Sequence, residues 1–181
     1  MVLFVYFAGV KMIGWFLAVV LVNASYNTWG FKKLPVLDLI NQVGYLLIFV
    51  LASWICNVPQ LSLPAMCFSA LFAMQSHLFG QLMDVDEDKQ AGRHSTAIVM
   101  GIRPAKLLLV AIMLVESVIA FSYFRFSVVA WFMAVGAAFF LVDAVFGPKR
   151  YPINFMKVFF VGWNLVVIAT MYFVWRYEVF L

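Results

Sequence analysis

The sequence predicts an all-α integral membrane protein, a helical bundle of about six transmembrane helices. Three observations predict it. Of 181 residues, 66% are hydrophobic and only 11% are charged. A soluble domain carries about 45–50% apolar and about 25% charged residues, so the charges here are too few to coat a water-facing surface. Aromatic residues make up 18% of the chain. The apolar residues also fall in long runs separated by short polar breaks, which is the pattern of membrane spans.

A span needs roughly 20 apolar residues. Candidates lie at 2–22, 37–56, 62–83, 106–124, 127–146 and 154–176. Each break has a cause. The stretch Asn27–Pro35 carries Gly30, Lys32 and Lys33, and Asn57–Pro64 carries two prolines. Asp84–Pro104 is the one long polar stretch, Arg125 marks a tight turn, and Gly147-Pro148-Lys149-Arg150 marks the last. Within the first span, Gly9-Val10-Lys11 offers an alternative turn that leaves residues 1–9 as the stub of an earlier helix.

The net charge of +4 comes from scattered residues rather than a patch, which argues against nucleic acid. The basic residues instead orient the spans. One set of loops holds Lys32, Lys33, Lys89, Arg93, Arg103, Lys106, Lys149 and Arg150, against Arg125, Arg176 and Lys11 on the other face. The first set is therefore expected in the cytoplasm, with both termini outside a cytoplasmic membrane. Trp29, Trp54, Trp131, Trp175 and Tyr177 fall near span ends, where amphipathic rings anchor. Cys56 and Cys67 have no metal or redox spacing and read as small buried hydrophobes. No basic n-region precedes the first apolar run, so no cleaved secretory signal is expected. Ala130, Ala134 and Ala138 recur every fourth residue and would let two helices approach closely.

The polar chemistry concentrates between Gln81 and Thr96, which holds Asp84, Asp86, Glu87 and Asp88, four of the eight acidic residues. If the helix ending near Met83 continues for a turn, Asp84 and Asp88 share one face. Two such carboxylates repel, and a divalent cation relieves the repulsion. Mg²⁺ takes a few carboxylate oxygens and completes its octahedron with water and phosphate oxygens. Arg93 and Lys89 stand ready to neutralise phosphate. His77, Gln81, Asp84 and Asp88 step along one stripe, expected to face the bundle interior or a wet cavity. A second reading of the same residues stays open: the acidic run only caps a helix and solubilises a loop, and His77 is a packing residue. Glu116 and Asp143 lie on spans and need partners.

The run from Asp84 to Gly101 is similar to the second aspartate-rich motif of the UbiA superfamily of membrane prenyltransferases. It has Asp-x-x-x-Asp, a glycine (Gly92) four residues on, the Ser95-Thr96 turn, and an apolar run ending at Gly101. Tyr26-Asn-Thr-Trp-Gly-Phe-Lys32-Lys33-Leu-Pro35 resembles the family's cytoplasmic Tyr-to-Lys loop. The short Tyr-x-x-x-Lys spacing would place the lysine at Gly30; a longer spacing points to Lys32, with Lys33 beside it. A purely topological role for both lysines is the alternative.

The resemblance implies the last six spans of a nine-span bundle in which two Asp-rich motifs face a central cavity. No counterpart of the first motif is found. Residues 1–181 would then be a single transmembrane domain that is N-terminally incomplete, or a relative that has lost half the site, with a partner chain supplying the rest. The implied activity is Mg²⁺-dependent transfer of a prenyl group from a prenyl diphosphate to a lipophilic acceptor such as a quinone precursor, tetrapyrrole or carotenoid. Asp84 and Asp88 would hold Mg²⁺, with Asp86 as a third candidate. Tyr26, Lys32, Lys33 and Arg93 would hold the diphosphate, and Gln75, His77 and Asn41 are cavity candidates. Read without the resemblance, the acidic cluster would also suit the vestibule of a cation transporter or channel. That reading calls for more mid-membrane ionisable residues than Glu116 alone.

Overall fold

The computed structural model describes residues 2, 5–6, 9–124 and 127–177 of the chain. Arg125 and positions 3–4 and 7–8 of the expected first span lie outside the described residues. Among those described, every regular element is helical. The helices are α1 Lys11–Asn27, α2 Leu37–Ile40, α3 Leu46–Cys56, α4 Leu63–Met83, α5 Val85–Gln90 and α6 Thr96–Met100. They are followed by α7 Ile102–Tyr123, α8 Ser127–Phe146 and α9 Ile153–Arg176. Short 3₁₀ turns at Phe31–Lys33 and Asn41–Tyr45 complete the set.

The first span starts later than expected. Gly9 turns with φ +82° and the helix runs from Lys11 to Asn27, so the Gly9-Val10-Lys11 turn is the boundary. Tyr26 consequently rides on a helix rather than in the loop after it. At 17 residues α1 is about 25 Å long, short of the roughly 30 Å hydrocarbon core. Gly30, at φ +84°, turns the chain after it. Val36 follows Pro35 at φ +69°, a region costly for a β-branched residue by about 1–3 kcal/mol.

Helices α2 and α3 join through Asn41–Tyr45 into one span, Leu37–Cys56, which ends in the left-handed Asn57. Gly44 allows α1 to pass closely, since a Cβ there would meet the Val22 side chain at 2.4 Å. Ser62 caps α4 by accepting from the Ala65 amide at 3.4 Å, with Pro64 in the first turn, where it displaces no helical hydrogen bond.

Four segments are long and apolar enough to cross a membrane: Leu37–Cys56, Ile102–Tyr123, Val128–Phe146 and Asn154–Phe173. The other two expected spans are α1, which is short, and α4, whose Gln75, His77 and Gln81 dilute its apolar run. Helix α4 is nonetheless central, contributing Ala65, Phe68, Leu78 and Leu82 to the core shared with α7 and α8.

The α7–α8 pair forms the most extensive helix interface. Ser117 donates to the Ala130 carbonyl at 2.9 Å, and Met113 lies over Gly136. The predicted alanine stripe is used only in part: Ala130 is buried, but Ala137 replaces the exposed Ala138. A repeat of four overshoots the 3.6-residue turn by about 40° per step, so the stripe drifts off the contact. Helix α9 packs by rings, with Phe159 at 5.0 Å from Phe79 and Trp163 at 5.2 Å from Phe132.

Candidate active site at the polar end of the bundle

Helix α4 ends at Asp84, and α5 restarts at once. The Asp88 amide still bonds to the Asp84 carbonyl at 2.8 Å, so the break preserves the turn and the two aspartates share one side. Asp88 is 7% exposed and receives Arg93 Nη1 at 2.7 Å. Gly92, at φ +66°, reverses the chain, and the Arg93 amide bonds back to the Asp88 carbonyl at 2.9 Å. Arg93 is thereby clamped beside the carboxylate pair. Asp84 is exposed, and its carboxyl is raised above the usual aspartate range. Partial loss of hydration at the helix end is the main cause, then the charges of Asp88 and Glu87, opposed by Arg93. Asp86 is two positions along α5, on the other side, where Arg150 Nε holds it at 2.9 Å.

The buried polar centre of this end is a residue the sequence reading passed over. Asp38 is 1% exposed. Its Oδ2 accepts from Gln81 Nε2 at 2.7 Å and from the Thr96 amide at 2.9 Å. Its Oδ1 accepts from the Leu39 amide at 2.8 Å and from the Thr96 hydroxyl. Thr96 Oγ1 in turn accepts from the Val36 amide at 2.7 Å, and Gln81 Oε1 from the Ala97 amide at 3.1 Å. Gln81 therefore does face the interior, but it is spent on this network rather than on a cavity. The only sequence signal for Asp38 was a single carboxylate near the start of an apolar run.

Tyr26, His77 and Asn41 come together in the structure. They line a cavity of about 520 Å³ between α1, the Asn41–Tyr45 turn and α4. Tyr26 and His77 meet edge to face, with centroids 6.4 Å apart. Asn41 Oδ1 accepts from Ser25 at 2.7 Å. Trp15, Val19, Val22, Leu47 and Ile48 form the apolar part of the wall. The Tyr26 hydroxyl lies within electrostatic reach of Asp38, Asp88 and Arg93, which joins the cavity to the acidic segment. Lys32 and Lys33 are exposed on the Phe31–Lys33 turn, with Lys32 Nζ 3.4 Å from Asn27 Oδ1. Gln75 is buried but does not line the cavity, and its Oε1 has no partner among the described residues.

Lys106 departs from expectation. Counted as a loop charge, it is only 1% exposed and inside α7. Its Nζ bonds to Asp143 Oδ2 at 2.7 Å and to the Pro148 carbonyl at 3.0 Å, and stands 4.8 Å from the Tyr151 ring centroid. Tyr151 donates to the same Asp143 carboxylate. Burial, then that hydrogen bond and charge, raise the Tyr151 phenol. Asp143 thus has the partners its position requires. Glu116 does not: it is 0% exposed, with both oxygens unpaired among the described residues.

Among the described residues no three His, Cys, Asp or Glu side chains converge as a metal cluster. The donor set that is present, Asp84 with Asp88, fits one carboxylate face for a hard divalent cation. Repulsion between the two carboxylates, which adds to burial in raising the Asp84 carboxyl, is what such a cation would relieve.

The model of the UbiA prenyltransferase family matches residues 1–165. No curated protein and no solved structure matches the chain. An all-helical bundle with membrane-crossing helices and a match over most of its length together establish that the chain belongs to the UbiA prenyltransferase family.

Proposed function

We propose that the protein transfers a prenyl group from a prenyl diphosphate to a lipophilic acceptor, with Mg²⁺ as cofactor, at the cytoplasmic face of a cytoplasmic membrane. The observation that carries this reading is the Asp84–Asp88 pair, with Arg93 clamped to Asp88 and both Asp88 and Arg93 within electrostatic reach of Tyr26 in the cavity wall. Asp84 and Asp88 hold the cation, and Asp86, tied to Arg150, is the weakest of the three. Bound Mg²⁺ would supply positive charge against the leaving diphosphate.

The protein's own residues supply the rest. Arg93 neutralises phosphate oxygens with the guanidinium nitrogens not held by Asp88. Lys32 and Lys33, exposed on their turn, bring two further cations, and Tyr26 offers a hydroxyl donor from the cavity wall. Fixed charge aimed at a developing anion favours ionisation of the allylic diphosphate. Aromatic faces in the cavity, Trp15, Tyr26 and Tyr45 among them, attract the allylic cation and keep water from it.

A second reading has support in the absence of a third ligand among the described residues: the chain works with a partner that completes the metal site, or is a non-catalytic relative. The test is Mg²⁺-dependent prenyl transfer by the purified chain in lipid, alone and with candidate partner chains. Asp84→Ala and Asp88→Ala should each abolish it, and full activity in both variants would refute the site. Activity appearing only with a partner would select the second reading.

A further inference from the structure

We propose that Asp38 is a positioning residue that couples the basic turn Phe31–Lys33 to the acidic segment Asp84–Arg93, so that both halves of the anion site are held as one unit. The inference rests on the proposed function for the identity of that anion. The geometry beneath it stands on its own.

Four donors converge on the Asp38 carboxylate: the Leu39 and Thr96 amides, Gln81 Nε2 and the Thr96 hydroxyl. Only an acceptor with four lone-pair directions and no hydrogens satisfies them all, which an ionised carboxylate does and an amide does not. The donors lie 43 and 58 positions away in Gln81 and Thr96, so one buried side chain joins three separate stretches of chain. Thr96 extends the network by one bond, because its hydroxyl donates to Asp38 and accepts from the Val36 amide at 2.7 Å.

The register of these contacts points at the anion site. Val36 is three residues after Lys33, Gln81 three before Asp84, and Thr96 three after Arg93. Lys33, Asp84 and Arg93 are therefore each three residues from a member of the network. Val36 is held at φ +69°, a conformation that persists only where surrounding contacts over-determine it, and its bond to Thr96 is such a contact. Removing the Thr96 hydroxyl should free the lysine turn while leaving Asp84, Asp88 and Arg93 chemically intact.

The experiment uses the full chain in lipid and two readouts: backbone hydrogen exchange over residues 31–37, and Mg²⁺-supported binding of inorganic diphosphate. Thr96→Val keeps the side-chain shape and the amide bond to Asp38 but loses the hydroxyl. It should speed exchange at Val36 and weaken diphosphate binding, each by about tenfold, the order expected for one buried hydrogen bond. Thr96→Ser should restore both. Asp38→Asn should do at least as much as Thr96→Val; if it fails to fold, the threonine pair still decides.

In turnover the loss should fall on KM for the prenyl diphosphate more than on kcat, which general destabilisation would not produce. Unchanged exchange in Thr96→Val overturns the coupling. Faster exchange with unchanged diphosphate affinity overturns its role at the anion site. If the unmodified chain binds no diphosphate at all, the proposed function fails instead, and exchange alone then decides whether the coupling stands.

Discussion

Asp84 and Asp88 have opposite surroundings although they are one turn apart. Asp88 is buried against Arg93, whereas Asp84 is exposed and feels the like charges of Asp88 and Glu87, opposed in part by Arg93. Because the Asp84 carboxyl is raised in the folded chain, its ionised form is disfavoured there, and folding gains stability as pH falls through that raised value. Cation binding has the reverse slope, since protons and cation compete for the same oxygens. Mg²⁺ affinity should therefore decline at a higher pH than for an ordinary aspartate. Glu87→Gln, which removes one like charge, should move the inflection of an Mg²⁺ titration down in pH, and Arg93→Gln should move it up. At this scale the sequence was informative where chemistry is local: the i, i+4 spacing placed Asp84 and Asp88 on one side before any coordinates. It was silent on Asp38, because three of its four donors come from residues 43 and 58 positions away and no local pattern encodes them. The strain at Val36 is equally non-local in cause. Val36→Gly should relieve it and raise the thermal midpoint of the isolated protein, by up to about 1 kcal/mol of stability after the added freedom of the unfolded chain is subtracted.

The elements were legible to the extent that their boundaries depend on composition. Leu37–Cys56, α7, α8 and α9 lie close to where the apolar runs put them, because a span length is set by the bilayer. Helix α1 shifted toward its C-terminus because a left-handed glycine, not hydropathy, decides where it starts. Lys106 was misassigned for a related reason. Charge alone suggests a loop, yet its partner Asp143 sits on α8, and together they bury an ion pair at the end of the most extensive helix interface. Breaking such a pair strands a buried charge. Lys106→Met should destabilise the protein by about 3–5 kcal/mol in thermal or denaturant unfolding, and adding Asp143→Leu should recover most of that loss. The same lock explains why residue 147 is glycine. A Cβ there would stand 2.4 Å from the Asp143 backbone oxygen and 1.9 Å from its Oδ1. Gly147→Ala should cost about 1–3 kcal/mol by forcing Asp143 off Lys106 and Tyr151.

For the whole molecule, the acidic segment, the lysine turn and the Lys149–Arg150 loop gather at one end of the bundle, joined by contacts such as Asp86 to Arg150 at 2.9 Å and Val36 to Thr96 at 2.7 Å. Placing that end in the cytoplasm gives a clear expectation. In a background lacking Cys56 and Cys67, which are exposed and not buried as expected, Gln90→Cys should react with a membrane-impermeant thiol reagent only when the cytoplasmic face is accessible. Labelling from the opposite face would invert the topology and remove prenyl transfer from the cytoplasmic side.

The Asp38 network also bears on how much of the covalent chain the fold needs. Its bonds run between the stretch ending at Cys56 and the stretch beginning at Leu63, and the exposed connector between them lies after the left-handed Asn57. The peptide linkage at 57–62 is then one tether among several, supplemented by buried hydrogen bonds at the far end of the same helices. Two polypeptides, 1–59 and 60–181, produced together in one membrane should find each other and co-purify, whereas Asp38→Asn should leave them apart. The protein would behave as a complementing pair whose recognition code is a single carboxylate and the three hydrogens that Gln81 and Thr96 point at it.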